Sequence, residues 1–393
     1  TTPVTPRRQR QMCIRDRHKS ELTGSRCIEC HMPETTYMVI DPRRDHSIRI
    51  PRPDLSVKLG VPNACTRCHT DQSNAWAVDT MHSWYGGIKQ DWQDFAIVLH
   101  EARRGNPAVA PELETLINNQ SMPAIVRATL LRELPRYLSA TSLAVIQAAL
   151  LDPDPIVRQA TINALSNTNP NLRLKVLFPM LDDSVRAVRL AATRALMDLP
   201  VEQLSEQQNE KLYMAITDYE KSLKVNADRP EAMVQLGVLY SLQGRYLDAE
   251  QAYQRAIELD NHFNAAYVNL ADLFARQNQD ADAQAILKQG LTVLPNDPDL
   301  HHALGLSLIR SQQYDAAMPE LARAAKQAPE NARYTYVYAV ALHSMGNARQ
   351  AITTLETALQ QHPYDRQIME ALVAFYREVG ELEKAKTIAA RLQ

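Results

Sequence analysis

Six alanines, Ala215, Ala249, Ala283, Ala317, Ala351 and Ala385, stand thirty-four residues apart without a gap, and Gly237, Ala271, Gly305 and Ala339 keep the same interval in a second register. A fixed period of this length restricts a chain to a stack of like units, each burying its apolar face against the next. Leu236, Leu270, Leu304 and Leu372 precede the second register, with Tyr338 taking that place in the fourth repeat, and Pro295, Pro329 and Pro363 end repeats. Small residues at a fixed interval mark the points where two antiparallel helices approach closely. Only 11 glycines in 393 residues and an aromatic fraction of 6% agree with a helical chain.

This register resembles the tetratricopeptide repeat (TPR). The resemblance implies five full copies after one degenerate helix pair, with a domain over residues 204–393. A solenoid of that kind has a concave groove lined by the first helix of each repeat, fit to take a peptide or protein. By register the groove positions include Asp272, Arg276, His302, Arg310, Arg333, Tyr336 and His343. Arg276 and Arg310 are one period apart, a spacing suited to holding a peptide carboxylate, although arginines on exposed helix faces also serve only to solvate them. His301, His302, His343 and His362 lack the clustering with carboxylates or cysteines expected of a metal site.

Upstream, from about residue 95 to 200, the interval is thirty-one: Val126-Arg127-Ala128, Val157-Arg158-Gln159-Ala160 and Val188-Arg189-Leu190-Ala191. The latter two follow the turns Asp152-Pro-Asp-Pro and Leu181-Asp-Asp. A short helix, an acidic or proline turn and a helix opening with Val-Arg resemble HEAT-type repeats, placed here over 87–203.

Cys27-Ile28-Glu29-Cys30-His31 and Cys65-Thr66-Arg67-Cys68-His69 are two copies of C-x-x-C-H and hold four of the five cysteines. The spacing suits c-type haem, because two thiols must reach the two vinyl groups of one porphyrin while the next residue offers an imidazole to the iron. One covalent haem c per motif is expected, two in all. Two C-x-x-C pairs also suit a single four-thiolate zinc site, or redox disulfides, but neither explains a histidine after each pair.

His31 and His69 are then the proximal ligands. For the second axial position the nearby candidates are His46, in the proline-bounded loop Asp41-Pro42-Arg43-Arg44-Asp45-His46, then His18, with His82, His100, Met38 and Met81 behind them. Arg43, Arg44, Arg49 and Arg52 are candidate partners for haem propionates, or an ordinary solvated basic loop. Residues 18–86, rich in proline, read as loop with short helices near each motif and a longer one over Gln72 to Tyr85. Such a segment lacks enough side-chain surface for a core of its own, and haem would supply it.

Cys27-Ile-Glu-Cys-His-Met-Pro, Asp41-Pro-Arg-Arg-Asp-His-Ser, Pro51-Arg-Pro-Asp-Leu, Pro62-Asn-Ala-Cys and Trp84-Tyr-Gly together resemble the last haem-binding stretch of large multihaem c-type cytochromes that carry C-terminal tetratricopeptide repeats. The resemblance covers the chain from about residue 18. It implies a C-terminal fragment whose earlier haems are absent, and it matches His46 to the histidine of the family's Arg-Arg-Asp-His-Ser segment.

The fold class expected is all-α, a loop-rich dihaem segment followed by an α-solenoid. The function expected is electron transfer in an exported, periplasmic protein, with a redox partner protein or the missing N-terminal haem domain beside it. Part of a multihaem oxidoreductase acting on a small inorganic substrate is the alternative, and a scaffold with zinc at the C-x-x-C pairs is another. The solenoid carries no nucleophile motif and no phosphate loop. A net charge of −2 gives no electrostatic case for nucleic acid or an anionic membrane, and no apolar run is long enough to span a bilayer. Residues 1–17, crowded with arginine, read as a disordered or non-native arm, and Cys13 within it has no assigned role.

Overall fold

The computed structural model describes residue 18 and residues 23–38, 40–46, 48–88, 92–200, 202 and 204–392. The arm over 1–17, with Cys13, lies outside the described residues. The chain divides into two compact units, Thr1–Glu101 and Ala102–Gln393.

In the first unit, α1 (Cys27–His31) is followed by the strands β1 (Glu34–Tyr37) and β2 (Asp41–Arg44), then by α2 (Pro53–Leu59) and α3 (Asn74–Tyr85). The strands pair antiparallel, with Glu34 opposite Arg44 and Tyr37 opposite Asp41. This hairpin corrects the all-α expectation. Thr35, Thr36 and Tyr37 favour extended backbone, Met38 turns the chain at φ 48, and the Arg43 guanidinium lies 4.8 Å over the Tyr37 ring. The first motif forms a helix as expected. The second does not: Cys65–His69 is a single turn closed by His69 N–H donating to the Cys65 carbonyl at 3.0 Å.

The division falls within α4 (Phe95–Arg103). The second unit then stacks α5 (Ala110–Asn118) with α6 (Ala124–Leu131), α7 (Ala140–Leu150) with α8 (Pro155–Leu165), and α9 (Pro170–Leu177) with α10 (Arg186–Leu196). The recurring Val-Arg begins the second helix of each pair for a reason the spacing alone did not give. Arg127 forms a buried ion pair with Asp152, and Arg158 pairs with Asp183 at 2.8 Å. Each arginine thus reaches the turn of the next repeat and ties adjacent units together.

The long helix α11 (Glu206–Val225) follows, and then five hairpins: α12 (Pro230–Leu242) with α13 (Tyr246–Leu259), α14 (Asn264–Arg276) with α15 (Asp280–Val293), α16 (Pro298–Arg310) with α17 (Tyr314–Gln327), α18 (Ala332–Ser344) with α19 (Ala348–Gln361), and α20 (Arg366–Glu378) with α21 (Leu382–Ala390). Where the sequence suggests a degenerate pair, one helix stands. Helix α11 is capped by a reciprocal Ser205–Gln208 box and packs on α10, so a helix of the preceding array serves as its neighbour. Arg186 of α10 pairs with Asp218 of α11 at 3.0 Å.

The small-residue register is explained by contact. A Cβ on Gly305 would stand 2.6 Å from Leu321, and one on Gly237 would meet the Tyr253 ring. Tyr219 of α11 enters the same buried cluster as Leu236, Tyr253 and Leu270, so the apolar core runs unbroken from α11 into the hairpins. Among the described residues no helix is long and apolar enough to cross a membrane.

Candidate functional site

Two places gather chemistry-bearing side chains. The first is a cavity of about 330 Å³ in the first unit, lined by Cys27, Cys30, Cys65 and Cys68 together with His31, His69 and His18. Its walls are apolar and aromatic, with Ile50, Ala77, Met81, Trp76, Trp84 and Tyr85 among them. Both motifs, thirty-eight residues apart in sequence, therefore open into one space.

Local chemistry holds each motif in place. Asn63 is buried; its Oδ1 accepts from the backbone N–H groups of Cys65 and Thr66 at 2.9 and 3.1 Å, and its Nδ2 donates to Asn74 at 2.7 Å. Ser73 caps α3, its hydroxyl accepting from Trp76 N–H at 3.1 Å, which sets Trp76 4.9 Å from the His69 ring. On the other side, His31 Nδ1 lies 2.7 Å from the Arg49 carbonyl. A carbonyl only accepts, so Nδ1 carries the proton and Nε2 keeps its lone pair, the arrangement that prepares a histidine to ligate a metal. Burial raises the Cys30 and Cys65 thiols, and the field of Cys65 and Cys68 adds to the rise at Cys30.

The other residues singled out in the sequence are placed unevenly. His18 lies in the cavity, 6.2 Å from the His69 ring and edge-on to Trp84 at 5.9 Å. His46 is exposed in the turn after β2 and does not line it. His82 is likewise exposed on α3, and Met38 stands at the hairpin tip, whereas Met81 lines the cavity. The four arginines are taken up by carboxylates. Arg43 pairs with Asp41 at 2.7 Å, Arg44 with Glu29 at 2.9 Å and Arg49 with Asp45 at 3.2 Å. Buried Arg52 bridges Asp54 at 2.7 Å and Asp94 at 2.5 Å. The arginine that does border the cavity is Arg26, which directly precedes the first motif. That adjacency was its one sequence signal.

The second place is a cavity of about 400 Å³ on the inner face of α14, α16 and α18. Of the seven groove residues expected by register, Asp272, His302, Arg310 and Arg333 line it, and Arg276, Tyr336 and His343 do not. Arg310 is engaged by Asp280 at 2.6 Å. Asp272 is raised by burial, with Arg276 and Arg310 opposing the rise, so both arginines already have an acid of the protein beside them. His343 stacks on Phe375 at 3.8 Å and pairs with Glu378 at 2.8 Å. His302 is buried against Tyr334, ring centroids 4.4 Å apart, and is pushed down to about 4 by burial and by the Arg333 charge.

Among family descriptions, HEAT repeats match residues 110–197, and tetratricopeptide repeats match 205–262, 241–306 and 308–368. The helical hairpins of the second unit are therefore HEAT repeats followed by tetratricopeptide repeats. The cell division cycle protein 27 homolog of Caenorhabditis elegans is 28% identical over 104 residues, 26% of this chain and 13% of that protein. The chain thus spans only about an eighth of that relative. Among solved structures, MamA is 19% identical with a TM-score of 0.36, covering 40% of this chain and 92% of MamA. YrrB, described as a TPR protein with an unusual peptide-binding site, is 20% identical with a TM-score of 0.34, covering 44% of this chain and 89% of YrrB.

Proposed function

We propose that the protein is an exported, periplasmic electron-transfer protein. Its first unit binds two covalent haems c, and its HEAT and TPR solenoid docks a partner protein. The observation that carries the reading is the convergence of both C-x-x-C-H motifs on one apolar, aromatic cavity, with His31 held so that Nε2 is available. Cys27 and Cys30 would attach one group and Cys65 and Cys68 the other, with His31 and His69 as iron ligands. Haem supplies one-electron chemistry when bound. The protein's part is to hold the imidazoles, exclude water with Trp76, Trp84 and Ile50, and offer His18 or Met81 from the same cavity as a further ligand. The position of His18 favours it over His46. The zinc alternative needs four thiolates around one ion. Among the described residues no three cysteine, histidine or acidic side chains are grouped to hold a metal ion.

The test is the reduced pyridine haemochrome spectrum and intact mass of the full chain, exported in a host with c-type maturation. Two haems per chain are expected, one in Cys27→Ala and one in Cys65→Ala. Two intact haems in either variant, or zinc and no haem in the parent, would overturn the assignment.

A further inference from the structure

Ala215 departs from its register. The alanines at the same position in the later hairpins, Ala249, Ala283, Ala317, Ala351 and Ala385, are 2% exposed or less. Ala215 of α11 is instead half-buried and lines a cavity of about 490 Å³ between α10, α11 and the 3-10 turn Phe178–Asp182. In each later hairpin a first helix precedes the helix that carries the alanine. Helix α11 has no such partner of its own, and α10 leaves the alanine partly uncovered. Tyr213 and Met214 beside it are 72% and 66% exposed.

The HEAT ladder stops at the same place. Arg189 donates to the carbonyls of Asp183 and Ser184 at 2.7 and 3.2 Å, as Arg158 donates to those of Asp152 and Pro153 thirty-one residues earlier. The residue twenty-five positions further on, an aspartate for Arg127 and Arg158, is Met214 for Arg189. Met214 lines the cavity with Arg189, Leu190 and Ala215. The two arrays are therefore left open towards one space.

The repeats themselves say what closes such a space. Elsewhere in the chain a helix crosses with a small residue at the contact: a Cβ on Gly305 or Gly237 would collide with Leu321 or the Tyr253 ring of the facing helix. The rim adds a charge requirement. Asp182 is held by Lys211, and Asp218 by Arg186 at 3.0 Å, while Arg189 stands in the field of Asp183 and Asp218. Exposed Glu210 lines the cavity with no ion pair among the described residues, so the complementary group at this rim is a cation.

We propose that this cleft docks an amphipathic helix of a partner protein, continuing the helix-on-helix contact of the repeats: glycine, alanine or serine against Ala215, aliphatic side chains on Leu190 and Met214, and lysine or arginine opposite Glu210. The assignment rests on the docking half of the reading above and is independent of its haem half.

The test pans displayed helices of about 20 residues, long enough to hold a helix in water and randomised on one face, against the full chain, and measures the selected peptides by fluorescence anisotropy. Enrichment of a small residue flanked at helical spacing by aliphatic residues, with a basic residue beside them, is expected. Ala215→Trp fills the cleft and should weaken binding by about tenfold or more. Glu210→Lys, at an exposed position that folding tolerates, should weaken it by about tenfold through like-charge repulsion, and less at high salt. The surface control Glu370→Gln should bind like the parent. No selected helix, or a selected set without the small and basic residues, would overturn the site. Helices bound equally by Ala215→Trp and Glu210→Lys would overturn it too, while leaving docking elsewhere on the solenoid intact. A concentration-dependent dimer of the parent in sedimentation, abolished by Ala215→Trp, would make a second copy the occupant and contradict the partner assignment. The haem count, read on the same samples, is unaffected by either substitution and keeps the two readings separate.

Discussion

In the solenoid, Leu270, Leu287, Leu304 and Leu355 are all 4% exposed or less, while in the first unit Met38, Ile40 and Ile48 are 75%, 86% and 66% exposed. Before α4, the buried apolar side chains among the described residues are Leu55 and Ala77, with Pro53 beside them. The repeat array closes its core with its own side chains, because each hairpin is the apolar partner of the next. The first unit instead arranges its apolar and aromatic residues around a cavity. In the proposed reading such a segment does not offset the entropy of its own ordering alone, and a bound group would complete its core. The difference teaches that one chain can combine an array that closes its own core with a segment that gathers its apolar side chains around an open cavity.

The comparison breaks most sharply if the four cysteines are replaced together by alanine. Without covalent haem the first unit should lose its cooperative unfolding transition in calorimetry, while the solenoid transition keeps its midpoint. A single transition that shifts as a whole would show that the two units are not independent in stability.

Within the solenoid, Arg127→Leu leaves Asp152 as an uncompensated buried charge and should cost about 3–5 kcal/mol in urea unfolding. The double change with Asp152→Leu should recover most of that loss. Next comes Leu270→Ala, expected to cost about 3 kcal/mol from lost burial and the remaining cavity; a loss under about 1 kcal/mol would mean that the hairpins repack freely.

The ion-pair ladder also sets an acid limit. The hydrogen bond from Arg158 holds the Asp183 carboxyl below its ordinary range, so this group stabilises the fold above its unfolded-state pKa and loses that contribution as pH falls through the lower, folded value. His302 acts over a higher window. With its folded pKa of about 4 below the unfolded value, stability falls as pH drops from about 6.5 towards 4, and His302→Asn should flatten that part of the stability curve. The smallest effect concerns the first unit. Ser73→Ala removes the cap of α3 and should lower the stability of the haem-loaded unit by about 1 kcal/mol, read by urea unfolding at the Soret band.

Much of this was legible in the sequence, because periodic contacts repeat their residues: Leu236, Leu270 and Leu304, and the alanines opposite them, announce helical hairpins through spacing alone. The Arg127–Asp152 and Arg158–Asp183 pairs carry a signal of the same kind, a recurring separation of twenty-five residues from arginine to aspartate. The two C-x-x-C-H stretches were legible as a repeated motif. What they converge on was not, since the cavity depends on Asn63, Ser73 and Arg49 bringing distant segments together. For the same reason the sequence alone did not show that His18 lines the cavity and His46 does not, and Glu29 and Asp94, which pair with Arg44 and Arg52, come from outside their loop. Ala215 keeps the register of its buried counterparts, so no local pattern shows that its own place stays open.

The most direct test of the proposal that the first unit depends on a cofactor is hydrogen exchange by mass spectrometry on the full chain, prepared with and without c-type maturation. Amides of residues 23–85 should be protected only in the haem-loaded protein, and those of 110–390 equally in both. Equal protection of 23–85 in the two preparations would contradict the account, because the unit would then possess a core of its own.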